Sequence, residues 1–447
     1  MHANHQKIYK KFLNKYHIFG IEADYHNLGD WTGPDPPAWL QGKVIYEIYI
    51  RAFSSEGTFN GVKKHLDEIK SLGIDVIWFM PVFPIGKIKR KGSLGCPYSI
   101  KDYFNVNPEY GTNADFMDLV EAIHDLGMRV IIDLVVNHVA HDYAGFEDHP
   151  EIVLRDAQGT PTRKVTEWSD VIDLDYNKTE TWNHVLEIMR FWVEEYSIDG
   201  FRCDVAGLIP TEFWEWAVSN IRSIKKDIFM LAEWESPILH KEAFHSTYDW
   251  VLYSTLMDVV RDKASAKELA DWIELKNVIY PRNGQFLRFI ENHDKERAAK
   301  MFKPEQLAAL LVLIFSIDGL PLIYNGQEFG ESHYSSLFEK ETIKRGSKHL
   351  PVYKWISELI FLRKNYLTLA SKNYEFIKHD YPSRLLIYKK FENNTFIIAI
   401  NFSNFILDIS KINAIHILDK DAILFNTHPQ FNPTQFEPYQ AVIILEK

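Results

Sequence analysis

The stretch DGFRCDVA, residues 199–206, places Arg202 and Asp204 two positions apart inside an otherwise apolar run. On a strand, that spacing sends both side chains to the same face. Ionisable groups are costly to bury unless they are paired or used. If this run is a core strand, its interior therefore carries chemistry, and the flanking sequence decides whether it is one.

From about residue 44 the chain alternates strand with helix. VIYEIYIRAF (44–53) is apolar and β-rich, and NGVKKHLDEIKSLG (60–73) follows with helical spacing and a closing glycine. IDVIWFMPV (74–82) predicts a second strand, then TNADFMDLVEAIHDLGM (112–128) a helix capped by Thr112. RVIIDLVVNH (129–138) reads as the third strand, and a helix is expected over about 179–197. DGFRCDVA is the fourth strand, FWEWAVSNIRSI (213–224) a helix and DIFMLAEW (227–234) the fifth strand. A sixth strand near 246–253, QFLRFIENHD (285–294) and LPLIYNGQE (320–328) complete eight, with a helix over 304–317. Continuously apolar strands, each followed by a helix, imply a parallel sheet covered on its outer side. Eight such units predict a (β/α)₈ TIM barrel. A doubly wound open sheet would carry a glycine-rich phosphate turn after the first strand, and none is present.

Two segments depart from the alternation. Residues 139–176 are polar and too long for a βα loop, so a short inserted subdomain after strand 3 is expected over the barrel mouth. After about residue 370 short β-rich runs take over, such as FIIAINFSN (396–404) and PYQAVIIL (438–445), predicting a C-terminal antiparallel β-sandwich domain over 370–447. The barrel then occupies 41–138 and 177–369, behind an N-terminal extension, 1–40.

With 46% apolar and 14% aromatic residues, the 447-residue chain can bury a large core. Its net charge of −11, without a basic run, argues against nucleic acid or an anionic membrane as partner and suits a neutral ligand. No stretch approaches the roughly 18 apolar residues of a membrane span. The opening MHANHQKIYKKFLNKYHIFG lacks the apolar core of a secretory signal. Cys96 and Cys203, far apart and without metal-type spacing, read as free thiols in a reducing compartment, so a cytoplasmic protein is expected.

In a barrel, working groups stand at the C-terminal ends of strands. Asp204, Glu233 and Asp294 fall there on the fourth, fifth and seventh strands. Asn137 and His138 close the third strand, while Asn292 and His293 precede Asp294. Arg202 beside Asp204 favours the ionised carboxylate, suited to nucleophilic attack on an acetal carbon. Glu233, between Ala232 and Trp234, has the apolar setting that keeps a carboxyl protonated as a general acid. Two carboxyls of opposed protonation, about 5–5.5 Å apart, are the apparatus of a retaining glycosidase.

These motifs resemble those of the α-amylase family, glycoside hydrolase family 13, in the family's order. DLVVNH (133–138), GFRCDVA (200–206), AEW (232–234) and ENHD (291–294) resemble its four motifs. YSIKDYFNVNPEYGT (98–112) is similar to its tyrosine-bearing segment, and GLPLIYNGQEFG (319–330) to its eighth-strand signature. The resemblance implies Asp204 as nucleophile, Glu233 as acid and base, and Asp294 as the group that distorts the sugar. It implies sugar contacts from Tyr98, His138 and His293, with Arg202 orienting Asp204. The implied function is retaining hydrolysis of α-glucosidic bonds in maltooligosaccharides or related α-glucans. A transglycosylase or sugar isomerase would use the same intermediate, whereas a non-catalytic carbohydrate-binding subunit would be expected to have lost an acid. Where many relatives carry a Lys-His pair after the nucleophile, this chain has Gly207 and Leu208. No cofactor is required; Asn137 and Asp173 match positions that bind calcium elsewhere in the family, which makes them the candidate ligands of a Ca2+ ion, although two side chains alone fall short of six or more oxygens.

Overall fold

In the computed structural model, which describes residues 2–412 and 422–446, eight short parallel strands close into a barrel. Residues 413–421 and 447, inside the expected C-terminal domain, lie outside the described residues, as does Met1. In chain order the strands are β1 (Ile45–Ile48), β2 (Val76–Phe79), β3 (Arg129–Leu134), β4 (His138–Ala140), β5 (Val171–Asp173), β6 (Gly200–Cys203), β7 (Phe229–Ala232), β8 (Ser246–Tyr248), β9 (Gln285–Arg288) and β10 (Leu320–Tyr324). The barrel order is β1-β10-β9-β8-β7-β6-β3-β2, and β4 pairs with β5 in the insertion. The expected (β/α)₈ barrel is therefore present.

Strand alternation divides the barrel interior into two layers. Ile45, Val76, Ile131, Phe229, Leu231 and Leu322 form a dry plug. Two residues further toward the C-terminal ends stand Glu47, Trp78 and Asp133, all fully buried. Register sets Asp133 of β3 directly opposite Arg202 of β6, so the polar layer is built from strand pairing itself.

Several expected strands are shorter than the apolar runs that suggested them. Of 44–53 only Ile45–Ile48 is strand, and Ile50–Phe53 is a buried helical turn. Near 246–253 the strand stops at Tyr248, where Asp249 caps the helix Trp250–Val260 by accepting from the Leu252 N–H. The eighth strand ends at Tyr324, and its continuation turns through Gly326 (φ 94°) into Gln327–Phe329. The helix expected over 60–73 is two, Phe59–Lys63 and Leu66–Leu72. Helix 112–128 spans Asn113–Asp125 behind a Thr112/Asp115 capping box.

The C-terminal domain is a five-stranded antiparallel sheet backed by a two-stranded ribbon. Its strands are β11 (Tyr374–Phe376), β12 (Leu385–Phe391), β13 (Thr395–Asn401), β14 (Leu407–Asp408), β15 (Ile423–Asn426), β16 (Gln435–Phe436) and β17 (Ala441–Glu446). The sheet order is β11-β12-β13-β17-β15, with β14 and β16 forming the ribbon. Leu386, Ile398 and Ile443 on one face join the barrel's outer core, while Ile387, Ile397 and Val442 pack on Leu407 and Phe436. The N-terminal extension holds a helix, His2–Tyr16, whose Phe12 packs on Trp272 with ring centroids 5.0 Å apart.

Candidate active site

Arg202 is the hub of the site. Fully buried, it donates from Nη1 to Asp204 Oδ1 (2.9 Å) and to Asp133 Oδ1 (2.7 Å), and from Nε to the Tyr248 hydroxyl (3.2 Å). Its Nη2 lies 2.8 Å from Glu233 Oε1, so one guanidinium bridges three carboxyls. The rings of Trp78, Tyr98 and Tyr248 surround its carbon at 5.2, 5.7 and 5.6 Å. One cation cannot balance three buried anions, so protons are retained. Burial pushes the Glu233 carboxyl up to about 8; the charges of Asp204 and Asp294 add to this, against the opposing pull of Arg202. Asp133 is raised as well, burial again being the largest cause.

The chain turns sharply between the two end-of-strand acids. Val205, directly after Asp204, adopts a left-handed conformation (φ 38°, ψ 45°) that is unfavourable for a β-branched residue. Such strain costs about 1–3 kcal/mol and persists where the surroundings enforce it. Here it aims the Val205 N–H at Glu233 Oε2, 2.9 Å away.

A second polar group faces these acids. Tyr98 stacks on His293 (centroids 5.4 Å apart, planes at 17°), and its hydroxyl donates to Asp133 Oδ2 at 3.1 Å. His293 Nε2 lies 2.8 Å from the Tyr98 hydroxyl and 3.2 Å from Asp294 Oδ2, while Nδ1 pairs with Glu47. Burial alone would lower this imidazole, but the charges of Asp294 and Glu47 prevail and hold it up to about 9, as an imidazolium at neutral pH. The Asn137 amide donates to His138 Nδ1 (3.2 Å), and the His138 ring sits 5.2 Å from that of Trp168 in the insertion.

Asp204, Glu233, Asp294, Tyr98, His138 and His293 thus share one cavity of about 550 Å³. Arg202 lies beneath it and touches the acids. Asn137 and Asp173 stand behind His138, whose strand position pairs with Asp173. Asp173 Oδ2 accepts from the Lys164 N–H (2.9 Å), its Oδ1 has no hydrogen-bond partner among the described residues, and the charges of Lys164 and Arg163 act on it. Asp173 and Asn137 thus offer one free carboxylate oxygen and one amide oxygen, two of the six or more oxygens that calcium takes from side chains, backbone carbonyls and water.

Sequence reasoning missed Asp133, Glu47, Trp78 and Tyr248. Asp133 lies inside a quoted motif, and its signal is a lone acid in an apolar strand, as for Glu47. It also missed that Tyr16, Phe19 and Gly20 of the N-terminal extension wall the cavity; no local pattern marks them.

Comparison with known proteins places this architecture. The family model described as alpha amylase, catalytic domain, matches residues 26–168 and 164–351. Alpha-amylase MalA of Haloarcula japonica is 31% identical over 310 residues, an alignment covering 66% of this chain and 45% of that protein, so this chain spans about half the length of that relative. An alpha-amylase structure from Lactobacillus plantarum aligns with a TM-score of 0.81 at 30% identity, covering 92% of this chain and 100% of that one. The noncanonic maltogenic alpha-amylase AmyB of Thermotoga neapolitana aligns with a TM-score of 0.79 at 33% identity, covering 91% and 97%. With its barrel, its strand-end acids and the family model in register along most of its length, the chain belongs to the α-amylase family.

Proposed function

We propose that this protein is a retaining glycoside hydrolase that cuts α-glucosidic bonds of maltooligosaccharides or related α-glucans. The bridging of Asp204 and Glu233 by one guanidinium carries the reading, because it holds both carboxyls against the same cavity while burial keeps the proton on Glu233. Arg202 ties down Asp204 Oδ1, leaving the other oxygen to attack the anomeric carbon. As that bond forms, the glycosidic C–O bond breaks and Glu233 gives its proton to the departing oxygen. Glu233, now ionised, takes a proton from water, whose oxygen displaces Asp204 and releases the sugar with retained configuration. Asp294, His138 and the His293 imidazolium would bind sugar hydroxyls above the Tyr98 ring. The α-amylase and maltogenic names of the similar structures support an α-glucan substrate. The test is digestion of an oligosaccharide panel: α-anomers should form first, and first-formed β-anomers would contradict retention.

The Glu233 proton sets the pH dependence. The acid form is required, so kcat/KM should hold through neutral pH and be lost as pH rises through about 8. An alkaline limb below pH 6 would exclude Glu233 as the acid.

No step runs through a metal. Activity and Tm should therefore be unchanged by a chelator, and a Tm rise of several degrees on adding calcium would show that Asn137 and Asp173 hold an ion. Among the described residues no helix is long and apolar enough to cross a membrane. Free Cys96 and buried Cys203 support a cytoplasmic location.

A further inference from the structure

We propose that the N-terminal segment 17–22 belongs to the substrate-binding machinery, with Phe19, Trp234 and Trp168 forming an aromatic platform for the sugar on the leaving-group side of the cleaved bond. This rests on the glycosidase reading and adds a ligand-binding surface to it. The acid must reach the glycosidic oxygen, so the departing sugar lies along the flank of Glu233, and Trp234 is the next residue. The Trp234 indole rests on Gly207, where an added Cβ would come within 2.2 Å of its Cε2. Glycine at 207 thus lets an aromatic ring fill the space beside the nucleophile loop.

Phe19 completes the platform from far along the chain. Its ring centre is 5.5 Å from that of Trp234 and 6.0 Å from that of Trp168, nearly perpendicular to each at 80° and 84°. The ring is 56% exposed at the rim of the cavity. A single exposed ring is ordinary; this one is held in place by its backbone. The Glu235 N–H donates to Gly20 O (2.7 Å) and the Glu22 N–H to Glu235 O (2.9 Å), so the segment runs as a parallel bridge beside the loop that carries Glu233. Gly20 takes φ +97°, with the Trp250 indole nitrogen 3.3 Å from where a Cβ would stand. The Tyr9 hydroxyl of the N-terminal helix donates to Glu22 O at 2.5 Å and fixes the far end. Three remote pieces of chain therefore gather three aromatic rings on the wall of the cavity that holds the acid, an apolar surface suited to the C–H face of a pyranose.

The experiment compares kcat/KM on maltotetraose, whose leaving group is a sugar, with kcat/KM on α-maltosyl fluoride, whose leaving group is not. Phe19→Ala should lower the ratio of the first to the second by about tenfold, the effect of losing one aromatic contact, and Phe19→Trp should restore it. Circular dichroism and Tm confirm that both variants fold. An unchanged ratio in Phe19→Ala, with wild type cleaving both substrates, overturns the platform. Wild type cleaving neither overturns the glycosidase reading and the platform with it.

Discussion

Asp204→Asn lowers kcat/KM on maltooligosaccharides by about 10⁴-fold or more, the range seen when a covalent nucleophile is removed. The amide keeps the size of the carboxylate and can still accept from Arg202, so the barrel should retain its Tm. Glu233→Gln falls by a similar factor on the same substrates but loses far less on an α-glucosyl fluoride, because fluoride departs without a donated proton. That split separates a general acid from a merely structural carboxyl. Residual activity above a tenth of wild type in Asp204→Asn would remove it from the mechanism.

The second large effect is on folding. Arg202 is the cation shared by Asp133, Asp204 and Glu233, and its guanidinium is fully buried. Arg202→Met leaves those acids without it, and removing one side of a buried ion pair costs about 3–5 kcal/mol. A clear drop in Tm should therefore accompany the loss of activity. Part of the stability should return in Arg202→Met/Asp133→Asn, where one of the stranded carboxyls becomes neutral. A single variant as stable as wild type would mean that the acids are balanced in some other way.

The parts of this fold that could be read from sequence follow from how parallel barrels bury their strands. Both faces are covered, so β2 and β10 appear as unbroken apolar runs, and the acids at 204 and 233 fall directly after strand ends, whereas Asp294 stands six residues beyond the end of β9 at Arg288. Strand limits were less legible. Ile50–Phe53 and Trp250–Val260 are as apolar as the strands they follow, and composition cannot distinguish a buried strand from a buried helical turn. Asp133 and Glu47 were missed for a related reason. Each is one acid in an apolar strand, and its partner is chosen by register or by closure of the barrel: Asp133 meets Arg202 across β3 and β6, and Glu47 meets His293 from the other side. The N-terminal segment is the extreme case. Its place in the cavity wall depends on pairing with Glu235, more than two hundred residues away, and nothing in HIFGIE itself signals that pairing. Asn137 and Asp173 show the converse: the motif positions are present and meet beside His138, where they offer two side-chain oxygens to an ion.

The central claim is that Asp204 attacks the anomeric carbon while Glu233 supplies the proton. Its most direct test is to trap the intermediate with a fluorinated α-glucosyl fluoride whose glycosyl-enzyme forms faster than it hydrolyses. Mass spectrometry of the digested protein should then find one added sugar on the peptide containing Asp204. A label on any other residue, or none while the protein turns over maltooligosaccharides, would contradict the account.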